Sequence, residues 1–169
     1  TKRPKYRIMK LLGQGAFAKV FMAQSESDQS KIAIKVFIKN KKTKDAFETE
    51  FAAYRYLFEH RDVAVPTHIL ECIGGEVTRR HCRLFLSLGE RSFRDVIYKG
   101  KRMDVRCGMR YGKMILHSLK YLHSISVCHR DIKPDNIMIC AAKIPKLCDF
   151  GLACIYRGER KYTFCGTPW

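Results

Sequence analysis

Asp131, Asn136 and Asp149 are the side chains in this sequence whose types and spacing point most directly to chemistry. The first two lie in the run His129-Arg130-Asp131-Ile132-Lys133-Pro134-Asp135-Asn136, and the third opens Asp149-Phe150-Gly151 after a short spacer. Phosphoryl transfer near neutral pH is mostly positioning plus cancellation of charge on the nucleotide. It needs one carboxylate near the attacking hydroxyl and separate oxygen ligands for magnesium. Asp131 fits the first role, and Asn136 with Asp149 fits the second. Either short motif alone would be weak, but the whole octapeptide and the Asp-Phe-Gly stand in the order this chemistry uses, and the segment joining them reads as a β-hairpin.

Other elements must bring a nucleotide to those residues. Tyr6 to Leu12 and Lys19 to Gln24 are apolar-rich runs of strand length, and Gly13-Gln14-Gly15-Ala16-Phe17-Ala18-Lys19-Val20 lies between them. A tight turn carrying glycine lets backbone N–H groups approach phosphate oxygens. A lone Gly-x-Gly is more often only a turn, and Ala18, where a third glycine would be usual, is expected to stiffen this one.

Lys31 to Lys39 alternates, with Ile32, Ile34, Val36 and Ile38 on one face and Ala33, Lys35 and Phe37 on the other. That is the pattern of a strand covered on both sides. A strand lysine commonly snorkels to solvent; here the glycine turn before it and a helix after it make Lys35 the candidate phosphate-gripping cation. The helix reads from Asp45 to Glu59, where Phe47, Phe51, Tyr54, Leu57 and Phe58 recur at three- and four-residue steps. Glu50 falls inside that stripe, whereas Glu48 projects about 100° away from Phe47. A glutamate on a core-facing stripe needs a cation, and Lys35 is available; the alternative is a solvated glutamate at the stripe's margin.

With these residues in view, the sequence from about Tyr6 to Trp169 resembles the eukaryotic-type protein kinase family, and Lys133, two places after Asp131, resembles its serine/threonine-specific branch. The resemblance implies an α+β fold with ATP and magnesium as cofactors. It places an antiparallel small lobe with one helix, and the hinge, in residues 6–88, and an incomplete, mainly helical large lobe in 89–169. It implies that Gly13, Gly15 and Val20 cover the nucleotide, and that Ala33, Leu86, Leu88 and Met138 surround adenine, the hinge being placed at Leu86 to Leu88 in the strand His81 to Leu88. Lys35 would hold phosphates and pair with Glu50, Asp131 would be the base, Lys133 would steady the transferred group, and Asn136 and Asp149 would hold magnesium. Cys148 would lie at the floor of the nucleotide site, either as an inert buried thiol or as one that an electrophile can reach. Tyr111, Ile115, Leu119 and Leu122 form a helical stripe read as core beneath the catalytic loop.

After Asp149-Phe150-Gly151 the chain resembles an activation segment. Thr163 would be a phosphorylation site clamped by Arg130, the alternative being an unmodified loop threonine, and Thr167 would belong to the loop that docks substrate near Asp131 and Lys133. Asp135 would favour basic residues in a substrate through charge complementarity. The family's Ala-Pro-Glu motif and the remaining large-lobe helices are absent from this sequence, as expected either of a fragment of a longer product or of a naturally truncated kinase-like protein. Apolar faces on the 107–124 helix and the activation segment are therefore expected to favour association with a partner or a second copy.

Composition bounds the alternatives. A chain of 169 residues with 46% hydrophobic residues can bury a core, and two small lobes suit it better than one domain. No charge-free stretch reaches membrane-spanning length, and Thr1-Lys2-Arg3-Pro4-Lys5 has no apolar signal region behind it, so a cytoplasmic or nuclear protein without membrane association is expected. Its 8 cysteines form no Cys-x-x-Cys pair, which argues against a zinc site or disulfide framework. The net charge of +17 raises a rival reading, a basic module that binds nucleic acid. The charges are spread along the chain, and their one dense run, Lys39 to Lys44, reads more simply as a solvated loop. A second rival is a catalytically impaired scaffold or decoy that binds protein partners through a kinase-like fold.

Overall fold

The computed structural model describes residues 5–38, 40–60, 68–99 and 103–156. They fall into two compact units, one comprising residues 1–51 and 71–88 and the other residues 52–70 and 89–169.

The first unit is a five-stranded antiparallel sheet with the beginning of a helix. Its strands are β1 (Tyr6–Gln14), β2 (Lys19–Ser25), β3 (Lys31–Ile38), β4 (Cys72–Val77) and β5 (His81–Ser87), in the order β1-β2-β3-β5-β4. Three consecutive residues of β3, Ile32, Ala33 and Ile34, are buried, so the strand is covered on both faces as its alternation requires. Ile38 departs from the pattern: it ends the strand and is 59% exposed. Ala23, Ile32 and Ile34 form a small core on which Tyr6, Val36 and Phe85 pack. Elsewhere Phe37 meets Phe47 edge-on at 5.7 Å, and Phe47 stacks on Phe51 at 5.5 Å. Gly75 makes room for that ring: a Cβ there would come within 2.8 Å of Phe51.

Helix α1 (Lys41–Glu59) starts four residues before the Asp45 read from periodicity. Its first turn is fixed by a reciprocal cap in which Thr43 N–H donates to Asn40 Oδ1 and Asn40 N–H donates to Thr43 Oγ1, both at 3.0 Å. The Thr43 hydroxyl also donates to the Ile38 carbonyl at 2.6 Å, tying the helix to the end of β3. Such caps satisfy donors that the first helical turn leaves without partners. Phe47, Glu50, Ala53, Tyr54 and Leu57 are buried along one stripe, whereas Phe58, one position past Leu57 and about 100° round the helix, is 61% exposed.

The second unit is built on α3 (Val105–Ser124), which buries Tyr111, Ile115, Ser118, Tyr121 and Leu122. Leu119 is half-buried at the edge of that stripe. Helix α2 (Phe93–Lys99) starts at a side-chain cap, where Asp95 N–H donates to Ser92 Oγ at 3.1 Å. Strands β6 (Arg91–Ser92), β8 (Ile137–Cys140) and β9 (Ile144–Leu147) form a small sheet, and β7 (Val127–Cys128) pairs with β10 (Cys154–Ile155). The hairpin expected between the two sequence motifs is β8-β9, turning through Ala142 and Lys143 with φ near 57° and 56°. Two successive left-handed residues match the right-handed twist of paired strands. Ser118 Oγ donates to the His68 carbonyl at 3.0 Å, and Leu147 exchanges backbone hydrogen bonds with His68 and Leu70, which ties α3 and β9 to the segment after α1.

Candidate active site

In the first unit the sheet register aligns the residues read as nucleotide contacts. Val20 stands opposite Lys35 across β2-β3, and Ala33 stands opposite Leu86 across β3-β5. Opposed residues share a face, and so do residues two apart on one strand. Val20, Ala33, Lys35 and Leu86 therefore lie on a single face of the sheet. The glycine turn closes through Gly15 N–H donating to the Ala18 carbonyl at 2.9 Å, with Gly13 and Gly15 exposed.

Lys35 Nζ reaches Glu50 Oε2 at 2.7 Å, with the side chains 15% and 1% exposed. The helical stripe buries the glutamate and the strand places the lysine against it. Lys35 Nζ also lies 5.5 Å from the Phe37 ring centroid. A carboxylate drawn so fully out of water is costly unless paired, and this pairing orients the lysine side chain at a fixed point on the sheet face.

The second unit gathers the acid, amide and cation of the octapeptide. Asn136 Nδ2 donates to both Asp131 Oδ2 and the Asp131 carbonyl, at 2.8 and 2.9 Å, and Lys133 Nζ sits 2.8 Å from the same Oδ2. Because the amide nitrogen is turned to Asp131, the acceptor Oδ1 of Asn136 is the atom left to take a hard cation. Cys148 N–H donates to the Asn136 carbonyl at 2.9 Å, so the residue before Asp149 is hydrogen-bonded to the residue that clamps Asp131. Met138 lies two residues beyond on β8, close enough to Gly89 that a Cβ there would meet its side chain at 2.8 Å.

His129 holds this loop from beneath. It is 2% exposed, its Nε2 lies 3.0 Å from the Cys148 carbonyl, and Asp131 N–H donates to its Nδ1 at 3.3 Å. The two bonds select the neutral tautomer protonated on Nε2. Burial pushes its pKa below the ordinary value, against an opposing pull from the Cys148 carbonyl, Asp149 and Asp131. Phe150, fully buried, packs between the His129 ring at 4.8 Å and the Tyr54 ring at 5.0 Å. The periodicity of α1 marks Tyr54 only as core; its contact with Phe150 joins segments too distant in sequence for any local pattern to reveal.

Arg130 and Asp149 both adopt left-handed backbone, at φ 66° and 64°. Arg130 Nε donates to the Leu152 carbonyl at 2.6 Å, which holds the chain after Asp149-Phe150-Gly151 against the octapeptide loop. Asp135 is half exposed and meets Arg94 of α2 at 3.0 Å, a pairing the sequence reading missed. Cys148 is half-buried. Leu88 follows β5 and is half-buried. Thr163 and Thr167 lie outside the described residues.

A family model described as protein kinase domain matches residues 6–169. The chain is 32% identical to CBL-interacting serine/threonine-protein kinase 18 of Arabidopsis thaliana over 97% of its own length and 32% of that protein's. It is 33% identical to a probable cell cycle serine/threonine-protein kinase CDC5 homolog of Encephalitozoon cuniculi (strain GB-M1), over 97% of this chain and 34% of the relative. It is also 33% identical to serine/threonine-protein kinase DCLK2 of Rattus norvegicus, over 99% of this chain and 22% of the relative. The chain belongs to the protein kinase family, with serine/threonine kinases as its relatives, and it spans about a third or less of the length of those relatives.

Proposed function

We propose that the chain carries the ATP-binding and phosphoryl-transfer part of a protein serine/threonine kinase, which moves the γ-phosphoryl group of ATP to a protein hydroxyl. The observation that carries this reading is the Asp131 carboxylate held by both Asn136 Nδ2 and Lys133 Nζ. A carboxylate fixed in this way can accept a hydroxyl proton while the adjacent ammonium offsets charge on the group in transit.

In the proposed division of labour, residues 6–88 bind nucleotide and residues 89–169 supply the base and metal ligands. Gly13, Gly15, Val20, Ala33, Leu86, Leu88 and Met138 would enclose it, and Lys35, oriented by Glu50, would grip its phosphates. Asn136 and Asp149 offer the oxygen donors that magnesium prefers, which is fewer than a closed protein cage and suits an ion shared with phosphate oxygens. Bound magnesium would neutralise phosphate charge. Thr163, Arg130 and Thr167 keep their proposed roles in regulation and substrate docking. No helix among the described residues is long and apolar enough to cross a membrane. The proposed location is cytoplasmic or nuclear.

The test uses labelled ATP and a form of the natural protein that shows peptide phosphorylation. Lys35→Met and Asp149→Ala are expected to abolish magnesium-dependent transfer. Asp131→Asn is expected to lower turnover by about 10²–10⁴-fold while ATP binding is nearly retained. Unchanged turnover in the first two variants would overturn the assigned roles. ATP binding without turnover in every form of the wild-type protein would favour the scaffold reading instead.

A further inference from the structure

Strands β7 and β10 form an antiparallel ladder of two residue pairs, Cys154 opposite Cys128 and Ile155 opposite Val127. Directly opposed residues on such a ladder carry their side chains on one face, with Cα atoms about 4.5–5.5 Å apart. A disulfide spans Cα separations of about 4.4–6.8 Å, so this pairing puts the backbones of the two cysteines within the range a bridge needs. Both are free, Cys128 exposed and Cys154 half-buried. The ladder is continued by a single backbone bond, Tyr156 N–H to the Ser126 carbonyl at 2.7 Å, and with so few pairs it can draw its side chains together.

The two cysteines also occupy telling places. Cys128 immediately precedes His129, and Cys154 follows Asp149-Phe150-Gly151 by three residues, so a bridge would join the entrance of the catalytic loop to the exit of the metal-binding turn. Three of the other thiols, Cys72, Cys82 and Cys140, compete poorly for an oxidant. Cys82 and Cys140 are buried, and burial pushes Cys72 up to about 11 and raises Cys140 as well. Thiolate character and exposure decide which cysteine reacts first.

We propose that Cys128 and Cys154 form a reversible intramolecular disulfide under peroxide, a cross-strand redox site that fastens the catalytic loop to the segment after Asp149-Phe150-Gly151. Cys128 thiolate attacks one peroxide oxygen, the O–O bond breaks, and Cys128 sulfenic acid forms with release of one water after protonation. Cys154 thiolate then attacks the Cys128 sulfur, the S–O bond breaks, and a second water leaves. Two thiols have lost two electrons and two protons, and one hydrogen peroxide has become two waters. A dithiol reverses the reaction by exchange.

The inference rests on the ladder and does not require the chain to transfer phosphate, so its test uses no activity assay. The reduced full chain is treated with equimolar hydrogen peroxide, capped with N-ethylmaleimide, digested without reductant and mapped by mass spectrometry. The expected result is a Cys128–Cys154 linked peptide as the principal crosslink, which dithiothreitol removes. Cys128→Ser and Cys154→Ser should each abolish it, and Cys140→Ser should leave it in place. Cys154→Ser should also increase dimedone capture of sulfenic acid at Cys128, a readout available even where crosslink recovery is low. Recovery of Cys128 and Cys154 only as separate capped peptides, or linkage of Cys154 to Cys165 in equal or greater yield, would overturn the assignment.

Discussion

His129 shows how one buried side chain ties loop geometry to acidity. Its ring packs on Phe150 while its two nitrogens bridge the Cys148 carbonyl and the Asp131 amide, an arrangement that protonation of Nδ1 would break. Its pKa is lowered from 6.5 in the folded chain, so the unfolded chain binds the proton more readily. The stability it contributes is therefore fully present above pH 6.5 and is lost as the pH falls from there through the lowered folded value. The thermal midpoint should drop on going from about pH 7.5 to about pH 5.5. His129→Phe should flatten that drop, while removing the bond to the Cys148 carbonyl costs about 1–3 kcal/mol at neutral pH. His68, also lowered chiefly by burial, should retain the remaining slope. A pH-independent midpoint in the wild type would contradict this. At this scale the Lys35–Glu50 pair was legible in the sequence, since strand alternation and helical periodicity each place one partner on an inward face. The Tyr54–Phe150–His129 packing was not, because ring contacts among three separate segments leave no periodic trace.

Among the elements, the start of α1 was the least legible boundary. Lys41, Lys42 and Lys44 read as a solvated charge run, and charged residues do lie on the exposed side of that first turn. The overlooked signal was Asn40 followed three residues later by Thr43, whose side chains exchange hydrogen bonds with each other's backbone. Asn40→Ala should cost about 1 kcal/mol. Equilibrium unfolding followed by circular dichroism checks the value, and a change within error would mean that Thr43 alone fixes the helix start. The β8-β9 hairpin, in contrast, was legible because two apolar-rich runs of strand length, Ile137–Cys140 and Ile144–Leu147, stand either side of a three-residue break. Its left-handed Ala142 and Lys143 could not be foreseen, since neither residue type advertises that conformation.

Across the whole molecule, charge and apolar surface act in opposite directions. The net charge of +17 keeps copies apart at low salt. Val105, Met109 and Leu116 nevertheless form a narrow exposed stripe along α3, at 73%, 70% and 64% exposure, on a different side from the buried Tyr111, Ile115 and Leu122. Raising salt should screen the repulsion and leave this stripe to associate. Sedimentation velocity should show larger species at high salt, which the double variant Met109→Lys/Leu116→Gln suppresses. Equal association in that variant would place the contact elsewhere.

The outermost strand β1 exposes Ile8, Met9, Leu11 and Leu12, a composition suited to recruiting a strand from another molecule. Its pairing with β2 skips Met9 and again Leu12, so the alternation of side chains is reset twice within nine residues. Each skipped residue bends the strand and denies a straight incoming chain a continuous row of partners. The irregular spacing thus guards against fibre growth, and the strand should tolerate substitution at these positions better than a change in length. Deleting Met9 should restore a regular row from Ile8 to Leu11 and produce thioflavin-positive fibres, whereas Met9→Ala should remain free of them.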